Sequence, residues 1–105
     1  MTVNYNEMIL EKLANSRADA KSAIDIAREL DITPRRLHAM IREMRKDGIP
    51  IVSDRGGKGY WIATDPHDIR MWARQSKSSA FDMLSTAETL LHIADSMEDR
   101  QISLI

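Results

Sequence analysis

The residues of this chain that are best suited to chemistry are cations gathered in one stretch. Residues 33–60 hold seven Lys/Arg and three Asp/Glu, a local net charge of +4. The flanking segments are acidic, at −2 for residues 1–32 and −3 for residues 61–105, so the whole chain carries only −1. A local excess of this kind suits binding of phosphate groups. The alternative is a solvated basic helix face.

Catalytic and metal-binding patterns are weak in comparison. The chain has no cysteine, which excludes disulfides, thiolate metal sites and cysteine nucleophiles. Of the three scattered histidines, only His92 has a candidate co-ligand, Asp95, on the same helical face, and two weak ligands do not make a metal site. No nucleophile–base arrangement, P-loop or dinucleotide fingerprint is present. We therefore expect no enzyme, no metal and no cofactor.

Length and hydropathy set the broad class. A chain of 105 residues can form one small core, or a core plus one extended element. No apolar run approaches the roughly 20 residues that cross a bilayer. The N-terminal residues are periodic and acidic, unlike a signal peptide. These features predict a cytoplasmic protein without a membrane segment.

Two short helices are predicted in the first third of the chain. Apolar residues at spacings of three and four predict a helix over residues 4–15, with Tyr5, Met8 or Ile9, and Leu13 inward. Ser22 and Asp25 then resemble a capping box at the start of a second helix. Its predicted buried stripe is Ile24, Ala27 and Leu30.

The basic stretch begins with a third predicted helix. Thr33 is a good N-cap residue and Pro34 suits the first helical position. The helix is expected to run to about Asp47, because Gly48 is typical of a left-handed helix end. Its predicted core residues are Leu37, Met40 or Ile41, and Met44. Two helices joined by about three residues give a helix-turn-helix layout.

A hairpin is predicted next. Strands over residues 49–53 and 60–63 flank a glycine-rich turn, Arg55-Gly56-Gly57-Lys58-Gly59. Alternation predicts Tyr60 and Ile62 against the core and Trp61 on the opposite face. Trp61 and Trp72 are expected to be packing residues rather than platforms for bases.

A long helix is predicted from Asp65 and Pro66 to about Asp99. It carries a seam at 4-3 spacing, typical of helices that self-associate. The seam residues are Ile69, Ala73, Ser76, Ala80, Met83, Ala87, Leu90, Ala94 and Met97. We therefore divide the chain into a head, residues 1–64, and a self-association helix, residues 65–105, and expect a homo-dimer or higher oligomer.

Residues 22–62 resemble the winged helix-turn-helix superfamily, and most of all the DNA-binding domain of biotin-operon-repressor-type regulators. The resemblance rests on Ser22, on Leu30-Asp31-Ile32-Thr33 at the turn, on the third-helix core and on Gly57-Lys58-Gly59-Tyr60. It covers about 40 of the 105 residues. The chain departs from that family after the hairpin, where a long helix replaces a ligase or ligand-sensing domain. In this it looks more like small phage and prophage proteins.

The resemblance implies a mainly α fold with a small β-hairpin, and a third helix that enters the major groove of DNA. Arginine can make a bidentate contact with guanine, and cations of the wing can reach the DNA backbone or minor groove. Hydroxyls at helix starts can donate to phosphate. The candidate DNA-binding residues are Ser22, Thr33, Arg35, Arg36, His38, Arg42, Arg45, Arg55 and Lys58.

These observations predict an oligomeric protein that binds double-stranded DNA sequence-specifically, and most simply a transcriptional regulator. Two alternatives stay open. One is a phage DNA-processing factor, such as a terminase small subunit or a replication organiser, that uses the same head in a larger oligomer. The other is a protein–protein adaptor, because winged helices also serve as docking modules.

Overall fold

The computed structural model describes residues 4–54 and 59–103. It is mainly helical with one small antiparallel hairpin and a long C-terminal helix, which confirms the predicted fold class. No helix within the described ranges is both long and apolar enough to cross a membrane. The elements are α1 (Tyr5–Lys12), a single 3₁₀ turn (Arg17–Asp19), α2 (Ala23–Leu30), α3 (Pro34–Lys46), β1 (Ile51–Ser53), β2 (Tyr60–Ile62) and α4 (Pro66–Ser103).

Short polar side chains cap the helix starts. Ser22 Oγ accepts a hydrogen bond from the Asp25 amide, and Thr33 Oγ1 accepts one from the Arg36 amide. At the start of α4 the Asp65 carboxylate accepts from the amide of His67. Each contact satisfies an amide that has no partner within its own helix. The three predicted N-caps are thus confirmed, whereas the second bond of the capping box, from the Ser22 amide to the Asp25 carboxylate, is not found among the described residues.

The ends of α2 and α3 use left-handed residues. Asp31 has φ 54°, and the Ile32 amide donates to the Ala27 carbonyl. Gly48 has φ +95°, and the Ile49 amide donates to the Met44 carbonyl, as in a Schellman motif. The Ile49 amide is occupied by this helix end and Pro50 has no amide hydrogen, so the first strand begins at Ile51 and not at residue 49 as predicted.

One apolar core holds α1, α2, α3 and the hairpin together. The predicted Leu37, Ile41 and Met44 are fully buried. On α2 the prediction is wrong at Ile24, which is 60% exposed, while Ile26 is buried with Ala27. Positions 26, 27 and 30 follow the helical repeat, whereas steps of three from residue 24 drift around the helix. The buried cluster contains Ile9, Leu13, Ile26, Ala27, Leu30, Leu37, Ile41, Met44, Ile51 and Tyr60.

The hairpin pairs Val52 with Trp61 and Ser53 with Tyr60. Tyr60 belongs to the main core and Trp61 to a second cluster with Val52 and Ala63, which confirms the predicted faces. Trp72 packs against this second cluster and is a packing residue, as expected. Lys21 and Tyr60 exchange both backbone hydrogen bonds, so the segment before α2 lies beside β2 like a third, one-residue strand.

Two compact units divide the chain after Trp72. The first turns of α4 belong to the first unit. The second unit, from Ala73 onward, is the remainder of α4, whose large apolar side chains are exposed in the single chain. Met83 is 74% exposed, Leu90 59% and Met97 55%.

Candidate nucleic-acid interface

The outer face of α3 carries a row of cations. Because Leu37, Ile41 and Met44 point into the core, the residues at 4-3-4 spacing on the opposite side of the helix face solvent. This outer row consists of Arg35, Ala39, Arg42 and Lys46, all exposed. Small Ala39 lies at its centre, so a flat partner can approach the helix backbone closely between the cations.

The arginines of the outer row differ from its lysine in their ion-pair partners. Arg35 and Arg42 form no ion pair among the described residues. Lys46 Nζ lies 3.4 Å from a Glu43 carboxylate oxygen, one helical turn away and exposed. A pair of that kind contributes little and gives way readily to a phosphate.

Arg36 lies on one flank of the outer row. Its guanidinium carbon is 4.9 Å from the centroid of the Tyr5 ring of α1. A cation over an aromatic face is attracted by the ring quadrupole and loses some rotamer freedom. Helix α1 therefore positions this arginine, which remains exposed to a partner.

Arg45 lies on the other flank and turns inward. Its Nε donates a 2.7 Å hydrogen bond to the Ile51 carbonyl, and its guanidinium carbon lies 4.0 Å from the Trp72 ring centroid. Burial lowers the pKa of the guanidinium from its ordinary value, although it still carries charge at neutral pH. One terminal nitrogen is buried with no hydrogen-bond partner among the described residues. Arg45 thus joins α3 to β1 and to the start of α4.

His38 is tied to the hairpin. Its Nδ1 and the Tyr60 hydroxyl share a 2.6 Å hydrogen bond, with the two rings edge to face. Burial raises the pKa of the Tyr60 phenol, and the nearby Arg45 charge opposes that rise in part. The phenol is therefore neutral at physiological pH, and the bond fixes the orientation of the imidazole.

His38 and Arg45 line an open groove of about 570 Å³ on their side of the outer row. Its lining combines cations with two aromatic residues, and the cations are suited to a phosphate. The lining residues are His38, Arg42, Arg45, Lys46, Tyr60 and Trp72. Lys46, Tyr60 and Trp72 were not among the predicted contacts. The position of Lys46, four residues after Arg42, was the signal that could have identified it.

The remaining candidates are the capping hydroxyls and the wing. Ser22 and Thr33 accept capping bonds through oxygen, which leaves each hydroxyl hydrogen available to donate to an anion. The predicted wing cations Arg55 and Lys58 lie outside the described residues.

Outside α3, several cations in the described part of the head are paired with nearby carboxylates. Glu29 accepts from Lys12 Nζ at 2.9 Å and from Lys21 Nζ at 3.2 Å. These hydrogen bonds lower the pKa of the Glu29 carboxyl. Arg17 Nε lies 2.6 Å from Asp54 at the base of the hairpin. Within the described residues of the head, positive charge without an ion-pair partner is therefore found mainly on α3.

Comparisons with protein-family models, with curated proteins and with solved structures found no match to this chain. A function for this chain is therefore inferred from the geometry of α3 and the residues beside it.

Proposed function

We propose that this protein binds double-stranded DNA sequence-specifically through the outer row of α3. The observation that carries the proposal is that Arg35 and Arg42 stand exposed on the face of α3 opposite the core, without ion-pair partners among the described residues. An exposed helix of this kind fits the major groove, where arginine binds guanine O6 and N7.

The arrangement around α3 supports this role. A helix, a three-residue turn, a second helix and a hairpin follow one another, and Lys21 adds a short third strand beside β2. That order resembles the winged helix-turn-helix superfamily. In such a head, the N-terminal half of α3 faces base edges, and Arg36 and the groove cations are suited to phosphates on either side.

Self-association is the second part of the proposal. The exposed apolar seam of α4 is unfavourable in water in a single chain, so pairing of α4 between copies stabilises it. Two heads then bind two half-sites, and the product of two modest affinities gives selectivity for a paired site. A transcriptional regulator is the simplest protein of this design.

Binding across a salt series tests the proposal. Genomic fragments are retained on the immobilised protein at low and at high salt, and the bound fragments are sequenced. A regulator should keep a small set of preferred fragments as salt rises, whereas an electrostatic binder loses all fragments together. A protein adaptor would retain no duplex even at low salt, and that result would overturn the proposal.

A further inference from the structure

Helix α4 carries two parallel rows of very different size. Every seventh residue from Ala73 is alanine, and we call this the alanine row: Ala73, Ala80, Ala87 and Ala94. The adjacent bulky row, at the same period, is Ile69, Ser76, Met83, Leu90 and Met97. Steps of four and three alternate between the rows, which is the period of a helix–helix seam.

We propose that α4 pairs antiparallel with α4 of a second copy, so that the alanine row of each helix faces the bulky row of the other. The inference rests on the proposed self-association and adds its direction and register. The proposed DNA binding is compatible with either parallel or antiparallel pairing of the two α4 helices.

Side-chain volume favours this direction. In a parallel, in-register pair each row faces itself, which stacks alanine on alanine in alternate layers and leaves gaps between layers of methionine and leucine. In an antiparallel pair each row faces the other, and large side chains fill the space above small ones. With the helices fully overlapped, the facing pairs are Ala73 with Met97, Ala80 with Leu90, and Ala87 with Met83. Only Ala94 meets a small residue, Ser76.

The charge along α4 points in the same direction. Residues 70–77 contain Arg70, Arg74 and Lys77 and no acid, whereas residues 82–99 contain five Asp/Glu and no Lys/Arg. A parallel pair sets each block beside its own like charges. An antiparallel pair sets the basic block of one copy beside the acidic block of the other, with Arg70 and Glu98 flanking the same part of the seam.

Cross-linking determines the direction, because the native chain has no cysteine. A chain carrying only Ala80→Cys is mixed with a chain carrying only Leu90→Cys in a glutathione redox buffer without DNA. We expect disulfides that join the two different variants at well above the fraction that random pairing gives. Disulfides that join two copies of the same variant should be few. Efficient disulfides in each chain type alone would show a parallel pair. Absence of any cross-link, together with monomeric sedimentation, would also overturn the inference. Ser78→Cys, exposed and off the seam, is the matched control.

A charge exchange tests the register independently. Arg70→Glu or Glu98→Arg alone should weaken the dimer roughly tenfold, because the symmetric pair loses two attractions and gains two repulsions. The chain carrying both changes should recover most of that loss. A double variant as weak as either single variant would contradict the register. Both experiments are read without DNA, so their failure leaves DNA binding standing, and loss of DNA binding leaves the helix pairing standing.

Discussion

The guanidinium carbon of Arg45 lies 4.0 Å from the ring centroid of Trp72, while the side chain of Arg42, three residues earlier, stands exposed. The sequence made both arginines candidate DNA contacts. In the structure Arg45 holds α3 to β1 and to the start of α4, through Nε and the Ile51 carbonyl. The Arg42 side chain is available to contact a partner.

The contacts of Arg45 predict that it contributes more to stability than the exposed cation beside it, Lys46. Arg45→Ala should lower the free energy of unfolding by about 1–2 kcal/mol, because it removes the bond to the Ile51 carbonyl and the stacking on Trp72. Lys46→Ala, next in the chain and exposed, should change it by less than about 0.5 kcal/mol. Urea denaturation measures both values. Equal effects would show that the contacts of Arg45 do not stabilise the head.

Two glycines with positive φ give a second matched pair. A Cβ at Gly59 would lie 1.9 Å from the Lys21 carbonyl oxygen, at φ +108°. Gly59→Ala should therefore cost about 2 kcal/mol or more and break the backbone pairing of Lys21 with Tyr60. Gly48→Ala, at φ +95° with no atom within 4 Å, should cost only about 1 kcal/mol of backbone strain. Thermal unfolding would contradict this account if Gly48→Ala were the more damaging change.

A stabilising change is expected at the turn between α2 and α3. Asp31 has φ 54°, which glycine adopts without steric cost. Asp31→Gly should raise the free energy of unfolding by about 0.5–1 kcal/mol. It also removes a negative charge from a helix C-terminus. Asp47→Gly is the control, because Asp47 has φ −78° and glycine there only adds freedom to the unfolded chain. Denaturant midpoints should move in opposite directions, and a shared direction would be incompatible with this explanation.

The buried phenol of Tyr60 predicts a loss of stability at alkaline pH. Burial raises its pKa in the folded chain above the ordinary value of about 10, so the unfolded chain loses this proton first. The stabilisation from this group is complete below the unfolded pKa and is lost as pH rises through the folded pKa. Tyr60→Phe should flatten the fall in unfolding free energy above about pH 10. Tyr5→Phe retains Tyr60 and should keep that fall. Identical slopes for the two variants would contradict the assignment.

Much of the head could be predicted because local signals agree with the tertiary structure. Thr33 and Pro34 mark the start of α3, Gly48 marks its end, and the apolar period gives Leu37, Ile41 and Met44. Ile24 could not be placed correctly, because an isoleucine near the start of α2 fits either of two neighbouring apolar stripes. The core settles the choice in favour of Ile26.

The candidate interface was less accessible to sequence reasoning. Spacing identifies which arginines of α3 lie outside the core, but it does not identify which of them pack against an aromatic ring. Arg36 meets Tyr5 from one side, and Arg45 meets Trp72 from the other. Both rings come from elements distant in the chain. The spacing of residues along α3 predicts the outer row, but it does not predict these two aromatic contacts.

The central claim is that the outer row of α3 binds duplex DNA. Its most direct test is the affinity of the Arg35→Ala/Arg42→Ala chain for a selected genomic fragment, measured by fluorescence anisotropy across a salt series. The matched control is Arg17→Ala/Arg28→Ala, which removes the same charge from exposed positions of the head outside α3. We predict at least about a tenfold loss for the α3 variant and less than about a threefold loss for the control, with unchanged circular dichroism in both. Equal affinities of the α3 variant and the native chain would contradict the claim.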